Sequence, residues 1–545
     1  MLASFLVDEL SGQPELRDNV YFFFFKDDNE EQRDATFALS ALLHQLFIAK
    51  RLLIRHAMKD FNSKGAQFTK ESDTLWRIFK AATTDPNCGD VICIIDALDE
   101  CEESTRKELI ESLVSISSSA NRTGRNTDSE SFPKFILTSR PYGSIERQFG
   151  SSPTIRLKAE EQIPAISADI ELVVNSEVEA LVKAWHLTDG DRTHLREKLL
   201  KGADRTFLWV SLIVKQLKSS QAPTRRKFLQ ILNNLPSDLD AMYERILGDS
   251  CDREEARRIL QIVIAAARPL TLDEMQIALA IQPDHKSIED LEPDFLYSIE
   301  STVKDICGLF VRVIDSKIYL IHQTAKEFLK RSTTIPATES SHWKQSLCPI
   351  ESNLALANIC INYLLFTVFE THPLVLGSTK SAEEIACYVG EHQFLDYAAK
   401  HWASHALEAK IWEGGGLSGS ALEVLDSRSG RLLTWFLVYQ TTIPNPHRPQ
   451  TVSGLAVASY IGHDRLVELL IQKGADVNCR HDLHGSALNA AAVMRHSSVV
   501  ELLLNRGAVV YLDGKECQNL LQVNKRSMST TEAIANYRLV LCYRQ

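Results

Sequence analysis

The stretch Val91-Ile92-Cys93-Ile94-Ile95-Asp96-Ala97-Leu98-Asp99-Glu100 runs five apolar residues into an aspartate and follows it closely with two more carboxylates. An unbroken apolar run of this length suits a parallel strand buried on both faces. The C-terminal end of such a strand delivers its polar residue to the crevice where open α/β sheets bind ligands. A phosphate-bound Mg²⁺ needs hard oxygen ligands, one or two of them carboxylates, with phosphates and waters completing the octahedron. Asp96 is therefore the candidate metal ligand, and Asp99 and Glu100 are placed to orient or deprotonate an attacking water. A buried strand capped by a polar turn has the same outline, and the added Asp-Glu pair favours a nucleotide-site ancestry.

This is the form of a Walker B strand, whose partner is a Gly-x-x-x-x-Gly-Lys-Ser/Thr loop that holds phosphates on backbone N–H groups and a lysine. No such loop occurs in the 545 residues; Gly377-Ser378-Thr379-Lys380-Ser381 has the residue types in the wrong order and reads as a turn. Met1–Leu10 reads as the amphipathic helix that follows a phosphate loop. The expectation is a nucleotide fold lacking its loop and first strand, with an unpaired neighbour left at the sheet edge. A helix alone does not replace the loop amides and lysine, so autonomous ATP hydrolysis is not expected.

Composition places the rest. A chain of 545 residues allows about three to five domains. With 44% apolar and 24% charged residues it is ordinary globular protein, and a net charge of -11 leaves no overall basic footprint for nucleic acid or an anionic membrane. The 11 cysteines lack Cys-x-x-Cys spacing, which argues against a disulfide framework or a zinc site. No long apolar run or cleavable leader is evident, so a cytoplasmic protein is expected.

Alternating apolar runs and amphipathic segments predict strands at Val20–Phe25, Val91–Asp96, Phe135–Thr138 and Thr154–Leu157, with helices at Leu2–Leu10, Glu31–Arg51, Ser72–Ala82 and Ser104–Ser117. Ser118–Ser131 reads as a polar loop. From about Ile163 the periodicity becomes helical, as in Phe207–Val214 and Leu239–Leu247. Thr271 and Glu274 have capping-box spacing, and the β-like runs Ile306–Ile314 and Ile318–His322 flank a turn before a helix at Lys326–Lys330, which suggests a winged helix. His401 and His405 share a helical face, without an evident third ligand, and core packing is the reading. In the tail, Val467–Val477 recurs 33 positions later as Val500–Val510, each preceded by an alanine-rich helix. That period, with a glycine-terminated turn, is an ankyrin repeat. Asp513–Tyr537 reads as a degenerate third unit, and the short array is expected to be truncated or to dock on the helical region.

In the order of these motifs the chain resembles the NACHT-type STAND NTPases, particularly the fungal heterokaryon-incompatibility-like members with C-terminal ankyrin repeats. The resemblance rests on Val20–Asp28, the Walker B segment, Phe135–Pro141, Asp204–Val210, Leu235–Leu247, Ile321–Leu329 and the repeats. It implies an α/β plus α fold class: an incomplete P-loop NTPase parallel sheet, helical and winged-helix domains, and a C-terminal ankyrin solenoid. The implied domains are a partial nucleotide-binding domain lacking Walker A (1–160), a helical domain (161–235), a winged-helix-like domain (236–335), a helical linker region (336–445) and ankyrin repeats (446–545). By the same resemblance Asp96 holds the Mg²⁺ water shell, Asp99 or Glu100 positions the hydrolytic water, Arg140 reads the γ-phosphate, and His322 closes over the ADP phosphates. A strand-end ion pair for Arg140 and a satisfied core role for His322 stay open beside these.

ATP or ADP with Mg²⁺ are the implied cofactors, not expected to bind this chain. The implied function is an NLR-like regulator, with non-self recognition as its setting. It would act through protein partners on the repeats and through self-association, with neither nucleic acid nor membrane. The alternatives are a fragment of an active ATP- or GTP-switched NTPase whose phosphate loop lies upstream, and a non-enzymatic ankyrin scaffold.

Overall fold

The computed structural model describes residues 2–516 apart from 28, 30, 123–132, 141, 150–162, 204–206, 220–223, 332–342, 377–380, 411–417, 443–448, 495, 510 and 513–514. The chain divides into two compact units, Met1–Leu235 and Pro236–Gln545.

In the first unit α1 (Leu2–Gly12) leads to β1 (Val20–Phe24), α2 (Ala35–Ala49), α3 (Arg55–Lys64), α4 (Ser72–Thr83), β2 (Ile92–Asp96), α5 (Glu103–Arg122), β3 (Lys134–Leu137) and α6 (Gly143–Phe149). The sheet is parallel in the order β1-β2-β3, with β2 central and Phe24 opposite Asp96, and Ile95 opposite Leu137. Cys93, Ile94 and Ile95 are wholly buried, as the apolar run requires. Asp34 caps α2 by accepting from the N–H groups of Thr36 and Phe37, so that helix starts later than its periodicity suggests. Four further helices, α7 (Ile163–Trp185), α8 (Asp189–Gly202), α9 (Phe207–Ser219) and α10 (Arg225–Asn233), complete the unit. The strand expected at Thr154–Leu157 lies outside the described residues. The polar loop expected at Ser118–Ser131 is corrected at its start, because α5 continues to Arg122.

The second unit opens with α11 (Leu239–Gly248), α12 (Arg253–Ala265), α13 (Leu272–Ala280) and α14 (Ile299–Cys307). The antiparallel pair β4 (Val311–Ile314) and β5 (Lys317–Leu320) follows, then α15 (Gln323–Leu329). The capping box at α13 is formed: Thr271 Oγ1 accepts from Glu274 N at 3.1 Å and Glu274 returns the bond to Thr271 N at 2.8 Å. The β-like reading of Ile306–Ile314 holds only from Val311. Val303, Ile306, Cys307 and Phe310 are buried at helical spacing, and Gly308 at φ +56 ends α14 before the strand can start.

Helices α16 (Pro349–Leu364), α17 (Val368–Thr371), α18 (Ser381–Glu391), α19 (Leu395–Glu408), α20 (Ser418–Val424) and α21 (Gly430–Tyr439) form a stack. Two ankyrin repeats follow, as the pairs α22 (Gly454–Tyr460) with α23 (Asp464–Gln472) and α24 (Ala487–Val493) with α25 (Ser497–Asn505). Gly474 and Gly507 take φ +93 and +88, the left-handed caps that their place in the repeat requires. The array docks on the stack: Gly454 N donates to Ser427 Oγ at 2.9 Å, and Tyr460 meets Phe436 edge-on at 5.4 Å. Beyond a short β6 (Tyr511–Leu512) and β7 (Lys515–Glu516), the expected third repeat lies outside the described residues.

Candidate functional site

The C-terminal end of β2 is a hydrogen-bonded corner. Asp96 ends the strand, Ala97 turns into the left-handed region at φ 55, and Leu98–Glu100 form one 3₁₀ turn. A non-glycine residue there costs roughly 1–2 kcal/mol, so neighbouring structure must hold it. The neighbour is the end of β3. Thr138 Oγ1 accepts from Ala97 N at 3.0 Å and donates to an Asp96 carboxylate oxygen, and Thr138 O accepts from Leu98 N at 2.9 Å. Arg106 Nη1 donates to the carbonyls of Asp99 and Cys101 and fixes the outer side of the turn.

Asp99 and Arg140 come together. Asp99 Oδ1 accepts from Arg140 N at 3.0 Å, while Oδ2 lies 3.4 Å from Arg140 Nε. The Asp99 side chain is only 7% exposed, so the carboxylate of this pair is shielded, while the Arg140 side chain is one third exposed. Glu100 faces inward, with Oε2 accepting from Asp27 N at 3.3 Å. Burial pushes the Glu100 carboxyl up from its ordinary range. The Asp27 N–H pulls it back down, as does Arg140, while the charges of Asp99 and Asp27 add to the rise.

The Glu100 shift has a sign that can be tested. An acid whose folded pKa is raised binds its proton more tightly folded than unfolded, so it subtracts stability as pH climbs through that folded value. Below the unfolded pKa, about 4.3, both states are protonated and the penalty vanishes. Glu100→Gln is therefore expected to raise the melting temperature of the first unit at neutral pH and to leave it unchanged below about pH 4. A variant that melts lower than wild type at pH 7 would show that the ionised carboxylate is needed.

Asp96, Asp99, Glu100 and Arg140 thus share one corner, while Thr138, Asp27 and Arg106 are functional neighbours that the motif does not disclose. The signal for Thr138 was present: adjacent parallel strands end at the same edge. His322 belongs to the second unit. There it caps α15, its Nδ1 accepting from Thr324 N at 3.2 Å, and Thr324 Oγ1 meets Tyr243 OH at 2.8 Å. His405 uses both ring nitrogens, on Tyr397 OH at 2.9 Å and Asn353 Oδ1 at 2.8 Å, and burial pushes its pKa down to about 4. It is a packed histidine.

As a nucleotide site the corner is partial. Asp96 suits the water shell of a phosphate-bound Mg²⁺, which needs few protein ligands. Asp99, however, is committed to Arg140, and Glu100 faces the Asp27 amide in surroundings that favour its protonated form. No cluster of three metal-binding side chains occurs among the described residues. The corner fits the acidic side of a magnesium–phosphate site and not a complete hydrolytic centre, so no hydrolytic step is derived from it.

Comparison with known proteins agrees with the architecture. Residues 1–140 match the family described as Nephrocystin 3, N-terminal; residues 243–338 match GPI inositol-deacylase, winged helix domain; and residues 455–504 match ankyrin repeats. Over 339 residues the chain is 30% identical to the vegetative incompatibility protein HET-E-1 of Podospora anserina, covering 60% of this chain and 23% of that protein. Over 305 residues it is 25% identical to the azaphilone pigments biosynthesis cluster protein L of Monascus ruber, covering 51% of this chain and 61% of that one. It therefore spans less than two thirds of either relative.

One mostly helical chain thus combines a small parallel sheet, a segment that matches a winged-helix family and ankyrin repeats. These matches support the resemblance of the chain to fungal NACHT/ankyrin proteins. The repeats mark it for protein–protein interaction. Among the described residues no helix is long and apolar enough to cross a membrane.

Proposed function

We propose that the chain is an NLR-like signal-transducing regulator that works through protein contacts and does not hydrolyse ATP by itself. The observation that carries this reading is the order of its segments: a NACHT-like N-terminal region, then a winged helix, then ankyrin repeats seated on a helical stack. Switch proteins of this build couple a nucleotide-dependent core to a recognition surface, and here the repeats are that surface. The domain limits 1–160, 161–235, 236–335, 336–445 and 446–545 follow from the same reading.

The absence of autonomous hydrolysis is supported by two features. The 545 residues contain no Gly-x-x-x-x-Gly-Lys-Ser/Thr, and the carboxylate nearest in role to a catalytic base, Asp99, is held by Arg140. Within the proposal, Asp96 and Arg140 would contact Mg²⁺ and phosphate respectively wherever a phosphate loop is supplied, and the role of His322 as a phosphate contact stays a proposal from the resemblance. Titration of the chain with a fluorescent ATP analogue and Mg²⁺ is expected to show no saturable binding at micromolar concentrations. Saturable binding abolished by Asp96→Ala would overturn the reading in favour of an active ATP- or GTP-switched NTPase.

A further inference from the structure

The segment joining α2 to α4 presents an apolar stripe that nothing in its own unit covers. Ile54, Met58 and Phe61 recur at i, i+4 and i+7 along α3 and its entry turn, so they share one face. They are 49%, 42% and 52% exposed, and Leu52 beside them reaches 70% and Ile48 64%. The adjacent face is fixed: Leu53 and Ala57 are buried, and Asp60 is paired with Arg77 at 2.5 Å. The helix is thus locked with its apolar side outward.

The charge of the same segment is unlike that of the chain. Residues 48–64 carry Lys50, Arg51, Arg55, Lys59 and Lys64 against the single acid Asp60, in a protein of net charge -11. Arg55 is used on Asp85, Lys64 on Glu71, and Lys50 on Asn19 and the Cys88 carbonyl. Arg51 and Lys59 are exposed and make no ion pair among the described residues. Ile48, Leu52 and Phe61 are more than half exposed, and Ile54 and Met58 more than two fifths, so these side chains stand out from the surface and do not line a groove that would receive a peptide helix. Protruding apolar side chains flanked by unpaired cations are what a helix needs to lie in a headgroup layer, apolar face down and cations at the anionic level.

We propose that this corner of the first unit, from Ile48 to Phe61, is a peripheral docking site for an anionic lipid surface. The overall acidity does not oppose this, because a membrane within a Debye length reads the local charge. The site would bring the regulator to a leaflet without crossing it.

The test is co-sedimentation of the full chain with vesicles of phosphatidylcholine alone or of phosphatidylcholine with phosphatidylserine. Binding is expected only with phosphatidylserine and should weaken as salt rises. Arg51→Glu with Lys59→Glu is expected to reduce partitioning at least about 30-fold, the factor that two cations supply near an anionic leaflet. Leu52→Ser with Phe61→Ser is expected to reduce it about tenfold through lost apolar insertion. All four side chains are exposed, so an unchanged thermal melt shows that the variants are folded. Equal sedimentation with both lipids, or with wild type and variants, would overturn the proposal. So would a concentration-dependent dimer, or an acidic protein partner, that Leu52→Ser abolishes in the absence of vesicle binding.

Discussion

Arg268→Met should cost the second unit about 3–5 kcal/mol, the range for breaking a buried ion pair from one side. Arg268 lies between α12 and α13 with its side chain 18% exposed, and its guanidinium forms a fork on Glu274, with Nη1 2.8 Å from Oε2 and Nη2 2.7 Å from Oε1. Nη2 also reaches Asp396 of α19 at 3.2 Å, and the cation sits 5.1 Å over the Tyr397 ring. Burial opposes its charge, yet the hydrogen bonds and charges of Glu274 and Asp396 more than offset this and strengthen its hold on the proton. Removing it leaves Glu274, only 5% exposed, as an uncompensated buried charge that still caps α13. The double variant Arg268→Met, Glu274→Gln removes both charges and should lose clearly less than the single one, a coupling that a double-mutant cycle reads directly. Urea denaturation followed by tryptophan fluorescence measures it. A single-variant loss below about 1 kcal/mol would mean that water replaces the arginine, and the pair would then hold nothing together.

The same contacts bear on the proposed regulatory role. Arg268 joins the winged-helix segment to α19 through Asp396, and Tyr397 OH on α19 accepts from Ala267 N at 3.1 Å and meets His405. These polar links run from the winged helix into the stack that seats the repeats. A contact made at the repeats can therefore reach the winged helix through packed and hydrogen-bonded groups, given a two-state element for both to bias.

Which parts of this could be read from the residues follows from the range of the interactions. The central strand was legible because a strand buried on both faces must be apolar, and Ile92–Ile95 is apolar up to the aspartate that ends it; β1 and β3, less buried, were legible as short runs of apolar residues. The repeats were legible because a 33-residue period is a property of the sequence itself. An ion pair for Arg140 was among the open readings, but its partner Asp99 was not legible, since that depends on strand register: Ile95 opposite Leu137 places Thr138–Arg140 beside the turn after Asp96. Resemblance suggested separate roles for those two residues, and the register joins them. Helix α3 escaped because it is only 10 residues long and mostly polar, so the spacing of Ile54, Met58 and Phe61 is too short a repeat to stand out. Ile306–Phe310 has strand-like composition, and only the positive φ of Gly308 shows where the helix stops.

Gly454→Ala is expected to destabilise the repeats by about 2–3 kcal/mol, although alanine is the better helix former. A Cβ at Gly454 would stand 2.1 Å from the carbonyl oxygen of Leu425, a backbone atom that cannot swing aside. The helix α22 would have to lift, breaking the Gly454 N–H bond to Ser427 and parting Tyr460 from Phe436. Gly390→Ala in α18 is the control: nothing lies within 4 Å of its Cβ position, so that substitution should be neutral or stabilise by about 0.4–1 kcal/mol. Calorimetry of the full chain should show a lower-temperature transition for Gly454→Ala alone. The size of the effect matters because an ankyrin array needs about three stacked units for a core of its own. Two repeats are described here, and the α20–α21 corner supplies the surface that a further repeat would otherwise provide. If Gly454→Ala melts like wild type, the repeats stand without that seat and a contact on them has no packed route into the stack. If it melts early, recognition surface and helical stack are one cooperative body, as a regulator that answers to a bound partner requires.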